Sequence, residues 1–157
     1  MPRKYVSTSR FLEPDPRFQS KLASKFINCL MHQGRKTAAR KVFYDAIESV
    51  ATKVPGKEPL EVFSDALNNV KPVVEVRSRR VGGATLQVPH EIKRERQQAL
   101  AIRWVIDAAR AKKGKPMGRR LAEELFDAYN RQGAAWTVRE NTHKMAEANK
   151  AYAHFAW

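Results

Sequence analysis

One stretch in the middle of the chain restricts the fold most, because its pattern is that of two paired strands. Residues 73–89 read VVEVRSRRVGGATLQVP, with apolar and polar residues alternating on both sides of Gly82-Gly83. Alternation about a glycine pair is typical of a β-hairpin. A lone two-stranded hairpin is marginally stable in water. The rest of the chain must therefore supply a body on which the hairpin rests.

The first arm of this hairpin is basic. Arg77 and Arg79 are two residues apart, so they share one face of the strand, and Arg80 follows them. The glycines leave the backbone of the turn open to close approach. We therefore expect a basic finger that projects from the body.

Elsewhere, apolar residues recur at spacings of three and four, which indicates α-helices. The sequence predicts six helices: Ser20 to Gly34, Thr37 (as cap) to Pro55, Pro59 to Lys71, after Pro89 to Ala109, Leu121 to Gly133, and about Ala134 towards Tyr152. The predicted fold is mainly α, a six-helix bundle-like body with one protruding β-hairpin between the third and fourth helices. At this length we expect a single domain, residues 1–157, that starts with a basic arm at 1–19.

The charge balance points to a polyanionic partner. The chain has 30 Lys and Arg against 16 Asp and Glu, a formal net charge of +14. Such an excess favours nucleic acid. A membrane is the weaker partner, because the sequence has no run of about 18 apolar residues and no amphipathic segment with an aromatic-rich face.

Basic residues concentrate in four segments. These are the arm (Arg3, Lys4, Arg10), the turn between the first two helices (Gly34, Arg35, Lys36, then Arg40 and Lys41), the hairpin (Arg77, Arg79, Arg80), and the link 110–120 (Arg110, Lys112, Lys113, Lys115, Arg119, Arg120). Solvated loops and helix dipoles account for some of these charges. The link 110–120 has six cations and no acidic residue, which is more positive charge than a helix end requires. This excess favours contact with phosphate.

Catalytic and metal-binding motifs are absent from the sequence. It contains no HExxH, GxSxG, Walker loop or cysteine pair, and its four histidines are scattered. Cys29 and His32 alone are too few ligands for a zinc site. We expect no enzymatic activity, no cofactor and no metal. The single cysteine suits a reducing cytoplasm, and the N-terminus has no apolar signal segment.

The spread of the cations favours RNA over DNA. Readers of duplex DNA present one helix to one groove, whereas an irregular RNA surface is contacted at many points. A free-standing regulator that binds DNA or messenger RNA through one helix stays open as the alternative. Aromatic residues near the C-terminus, among them Tyr152, Phe155 and Trp157, are candidates for stacking on bases or for a protein contact.

Four segments together resemble one family. PDPRF at 14–18, KFINCLMHQGRK at 25–36, VEVRSRRVGGATLQVP at 74–89 and the closing ANKAYAHFAW resemble the bacterial form of small-subunit ribosomal protein seven. The similarity covers essentially the whole chain. One departure is Arg35, where the family commonly has Lys in a Gly-Lys-Lys turn.

The resemblance implies a structural role in the small ribosomal subunit in the cytoplasm. It implies binding to the 3′ major domain of small-subunit rRNA early in assembly of the head, through the arm, the interhelical turn and the hairpin. It places the hairpin tip (Arg79, Arg80, Val81, Gly82, Gly83) near exit-site tRNA and the messenger exit path. It also places the last helix near a neighbouring platform protein.

Overall fold

A computed structural model describes residues 11–155 of the chain. The helices are α1 Lys21–Leu30, α2 Lys36–Lys53, α3 Pro59–Val70, α4 Arg94–Ala111, α5 Met117–Tyr129, α6 Gly133–Ala148 and a C-terminal 3₁₀ helix, Lys150–Phe155. The strands β1 Val74–Val81 and β2 Ala84–Glu91 form an antiparallel pair between α3 and α4. The predicted fold class, a helical body with one hairpin, is confirmed. No described helix is long and apolar enough to cross a membrane.

The start of α1 agrees with the prediction and that of α2 does not. The Ser20 hydroxyl accepts the N–H of Ala23 at 3.3 Å, so Ser20 caps α1. The expectation that Thr37 caps α2 is wrong, because this helix already begins at Lys36 with no side-chain cap. Gln33 and Gly34 both have positive φ, which turns the chain sharply enough for the helix to start early.

The fourth helix, by contrast, begins later than expected. β2 continues past Pro89, with His90 paired to Glu75 and Glu91 paired to Val74, and α4 starts at Arg94. A proline is tolerated in an edge strand because its missing N–H is not needed on the open side. β2 is therefore two residues longer at this end than the alternating pattern suggested, whereas β1 starts at Val74, one residue later.

The core lies between α1, α2, α3, α4 and α5. Phe26, Phe43 and Phe63 meet at its centre with ring centroids 5.2–5.6 Å apart. Gly118 lets α5 approach α2 closely, since a Cβ there would lie 3.3 Å from Cβ of Asp45. The first turn of α4 is highly charged and exposed, and its later part is apolar and buried.

By contrast, α6 packs weakly. Its two buried residues are Ala135 and Ala146. Val138 and Met145, two members of the apolar stripe that the sequence shows on this helix, are exposed. The thin apolar stripe of this helix, on an otherwise polar surface, predicts a helix that packs weakly or meets a partner, and the weak packing is confirmed.

Residues 14–19, within the predicted basic arm, lie against the body. The buried Asp15 carboxylate accepts the backbone N–H groups of Arg17 and Phe18, at 3.1 and 3.3 Å, and the Tyr44 hydroxyl at 2.9 Å. The ring of Phe18 packs edge-on against Phe43. Burial, with the hydrogen bond to Asp15, raises the pKa of Tyr44. The PDPRF motif is thus a folded turn that packs against α2 through Asp15 and Phe18.

Candidate nucleic-acid interface

The hairpin, which we call the ribbon, ends in a two-residue turn. Gly82 and Gly83 have φ of 55° and 88°, the positive values that a type I′ turn requires. Arg77 pairs with Val88 and Arg79 with Leu86, so both arginines share one face, as predicted. Val81, which precedes the turn, pairs with Ala84. Leu86 and Val88 therefore lie on the opposite face from Val74 and Val76, and the ribbon has no single apolar face.

At the root of the ribbon, Glu75 is a buried acid that the sequence reasoning missed. Its carboxylate binds Arg77 beside it on β1 and Arg96 on α4, the latter at 3.2 Å. Burial alone would raise the pKa of Glu75, but the two guanidinium groups outweigh it and hold the pKa below its usual value. Arg77, although 58% of its side chain is exposed, is therefore held at the root by this ion pair. Arg80 near the tip is exposed and makes no ion pair among residues 11–155.

The turn between α1 and α2 presents a basic surface. Gly34 and Arg35 are exposed and Lys36 is half-buried at the first position of α2. One turn further on, Lys41 is exposed and Arg40 is half-buried. The Arg40 Nε is buried without a hydrogen-bond partner among residues 11–155. These predicted side chains do lie together on one end of α2.

The structure divides the basic link into two groups. Arg110 donates to the carbonyl of Leu30 at 3.3 Å, and so satisfies the C-terminal end of α1. Arg120 donates to the carbonyls of Arg110 and Lys112 and holds the link itself. Both guanidinium groups thus have structural contacts within the fold.

Lys112 belongs to the same structural group. Its Nζ lies 2.9 Å from Oε2 of the fully buried Glu124 and 3.2 Å from Asp127. Burial disfavours the charged lysine, but these carboxylates outweigh that effect and raise its pKa. The other oxygen of Glu124 accepts the N–H of Ala135 at 2.8 Å. One buried carboxylate therefore joins the end of α4 to the start of α6.

The second group points outward. Lys113 and Arg119 are exposed and make no ion pair within the described part of the chain. Lys115 forms a surface ion pair with Glu123, which lowers the pKa of that carboxyl. Surface pairs of this kind contribute little to stability. Lys115 can therefore exchange its partner for a phosphate at small cost.

An open cavity of about 300 Å³ joins the turn to the link. Its floor is apolar, formed by residues such as Leu30 and Val42, and its rim includes Arg35 and Arg110. No acidic side chain lines it. Two basic segments that are 75 residues apart in sequence, Arg35 and Arg110, thus border one surface.

The remaining predicted residues lie at the ends of the chain. Arg3, Lys4, Arg10 and Trp157 are outside the described residues. Tyr152 is exposed and Phe155 is half-buried, with its ring 4.0 Å from that of His154. Between residues 11 and 155 there is no group of three or more His, Cys, Asp or Glu side chains placed to hold a metal ion.

A basic helical body with two adjoining cationic segments and a projecting ribbon defines a protein built to contact a large polyanion. The chain matches the family "Ribosomal protein S7p/S5e" over residues 2–150. It is 60% identical to the small ribosomal subunit protein uS7 of Rhodopirellula baltica, over 98% of this chain and 99% of the relative. The proteins of the same name from Pelagibacter ubique and Clostridium tetani are 52% and 54% identical over both full lengths.

These matches extend over nearly all of the chain, so the chain belongs to the S7p/S5e family of ribosomal proteins. The resemblance seen in its four sequence segments is confirmed.

Proposed function

We propose that the chain is a structural constituent of the small ribosomal subunit in the cytoplasm and that its body binds small-subunit rRNA. The curated relatives carry the name of a small-subunit protein. The observation that supports the binding surface best is the cavity shared by Arg35 and Arg110, because it joins two basic segments with no acid between them. Lys113 and Arg119, exposed on the adjoining link, extend the positive charge.

In the finer form of this proposal, the RNA is the 3′ major domain and the protein nucleates assembly of the head. The family resemblance supports this assignment. The arm residues Arg3, Lys4 and Arg10 would add phosphate contacts to those of the body. Neighbouring head and platform proteins would meet the C-terminal residues Tyr152, Phe155 and Trp157.

The ribbon tip has a separate role in this proposal, beside exit-site tRNA and the messenger. Its support is geometric: the ribbon is anchored at its root by Glu75, while Arg80 and the Gly82-Gly83 turn are exposed at the far end. A side chain that does not hold the fold is suited to contact a ligand that comes and goes. Arg80→Ala should leave rRNA binding intact but weaken tRNA retention in the exit site or reading-frame maintenance. Unchanged retention and unchanged frame would refute the role of the tip.

The body surface is tested by the salt dependence of rRNA binding. Each phosphate contact that is lost lowers the slope of log affinity against log salt by about 1. We expect Lys113→Gln and Arg119→Gln each to lower it by about that amount. Lys144→Gln, an exposed lysine on α6, is the matched control. Equal slopes for all three variants and the parent protein would contradict the placement of the surface.

A further inference from the structure

The body holds the ribbon through a narrow contact at its root. Among the described helices, α6 and the 3₁₀ helix are those whose backbones approach the strands. Within 74–91, Val88 is the one apolar side chain that is buried, and Val73, just before β1, is 58% exposed. Little apolar area therefore fixes the direction in which the ribbon points.

The contact is also incompletely packed. An open cavity of about 530 Å³ separates the root of the ribbon from the C-terminal helices. It is lined by Val73, Val74, Pro89, His90 and Glu91 on one side and by His143, Ala146, Glu147, Lys150 and Ala153 on the other. The His90 Nε2 is buried with no hydrogen-bond partner among the described residues. Because this cavity is open to solvent and most of its lining is at least partly exposed, the root has room to shift.

Three supports hold the root, and they differ in strength. On α4, Arg96 pairs with the buried carboxylate of Glu75 at 3.2 Å. On α6, the His143 Nε2 accepts the N–H of Val73 at 3.1 Å, and Arg139 donates to the carbonyl of Lys71 at 3.3 Å. These bonds fix the point at which the chain enters β1. The 3₁₀ helix lies against β2 but buries none of its six residues. Helices α4 and α6 thus hold the root through an ion pair and hydrogen bonds, whereas the 3₁₀ helix lies against it with none of its residues buried.

We propose that the 3₁₀ helix is a movable support that sets the angle of the ribbon. When it is docked, it holds the root of β2 beside α6. When it is released, the ribbon turns about its root, where α6 still holds residues 71–73 and Arg96 of α4 still holds Glu75. Local openings of this kind are expected where few apolar contacts are buried. A partner that binds the 3₁₀ helix therefore changes the freedom of the ribbon tip some distance away.

The test uses the full-length free protein and requires no RNA. Ala153 lines the cavity with Glu91, Glu147 and Lys150. In a Lys150→Gln background, which removes the cation that could pair with it, Ala153→Asp places a carboxylate beside the two acids and should release the support. Ala151→Asp in the same background, on the same 3₁₀ helix but outside the cavity lining, is the matched control. Spin labels on the exposed native Cys29 and on Ala84→Cys at the ribbon tip report the angle as a distance distribution.

Ala153→Asp should broaden that distribution and speed amide exchange of residues 86–91 by roughly tenfold. Ala151→Asp should leave both unchanged. Ala153→Leu instead adds apolar contact between the 3₁₀ helix and the root, so it should narrow the distribution and slow the exchange. The proposal is overturned if both aspartate variants behave alike. It is also overturned if Ala153→Leu gives the distance distribution and the exchange rates of the parent protein. If Ala153→Asp does not fold, the result for Ala153→Leu alone tests the proposal.

Discussion

Replacing Lys112 by methionine should destabilise the protein by about 3 kcal/mol, although the sequence alone marks this lysine as one of six equivalent cations in the link. The methionine keeps the aliphatic stem and removes the charge. Glu124, which is fully buried, then loses the ammonium group 2.9 Å away. Lys113→Met, one residue along and exposed, is the matched control.

The size of the effect follows from the burial of the pair. Removing one partner of a buried ion pair typically costs about 3–5 kcal/mol, because the other charge stays buried without compensation. The Lys112 side chain is 28% exposed, so water reaches the end of the pair and we take the lower figure. For a chain of this size, about 3 kcal/mol corresponds to a fall in melting temperature of roughly 6–12 °C.

Urea unfolding followed by circular dichroism measures the loss directly. Lys112→Met should unfold at a clearly lower urea concentration, and Lys113→Met at the parent value. Adding Glu124→Gln to Lys112→Met should recover most of the loss, because the amide oxygen still accepts the Ala135 N–H and no charge is left buried. Equal midpoints for the two single variants, or no recovery in the double variant, would refute the reasoning.

Three further perturbations test other parts of the structure. Glu75→Gln should speed amide exchange in the ribbon at pH 7. Because the pKa of Glu75 is lowered in the folded protein, its ionised carboxylate stabilises the fold above the unfolded pKa of about 4.3, and this stabilisation is lost as the pH falls through the folded pKa. The exchange rates of the variant and the parent should therefore converge in acid. Tyr44→Phe removes one donor from the buried Asp15 carboxylate and should cost about 2 kcal/mol in urea unfolding, whereas Tyr152→Phe should cost nothing. Gly83→Ala meets no neighbouring atom but forces a φ of 88°, so it should destabilise the ribbon locally by about 1 kcal/mol, seen as faster exchange of the strand amides beside the turn.

The elements that follow from local rules were predictable from the sequence. Periodic apolar residues define the five core helices, and the Gly82-Gly83 pair defines the turn of the ribbon. Boundaries were less certain where two rules compete. Thr37 is a good capping residue, but the positive φ of Gln33 and Gly34 turns the chain so that α2 begins one residue before it. After Pro89, strand pairing continues through His90 and Glu91, which also suit the start of a helix.

The buried acids could not be predicted, because their partners are distant in sequence. Glu75 meets Arg96 from α4, and Glu124 meets Lys112 across the junction of α4 and α5. A sequence window shows these residues only as members of charged stretches. Because those partners are distant in sequence, the six cations of the link 110–120 are indistinguishable in the sequence. Only the fold separates cations that satisfy carbonyls and buried carboxylates from those, such as Lys113, that point outward.

The ribbon also bears on how the protein behaves before it meets a partner. Among the described residues its sheet has only two strands, so each strand has an outer edge of unpaired backbone groups. Such edges invite pairing with a second chain. The root is covered by α6 and the 3₁₀ helix, but the distal half is not flanked by a further strand. Arginines along this half, with Arg80 exposed, place like charges edge to edge if two ribbons meet. These like charges disfavour edge-to-edge pairing of two ribbons, which is how charged side chains protect exposed edge strands.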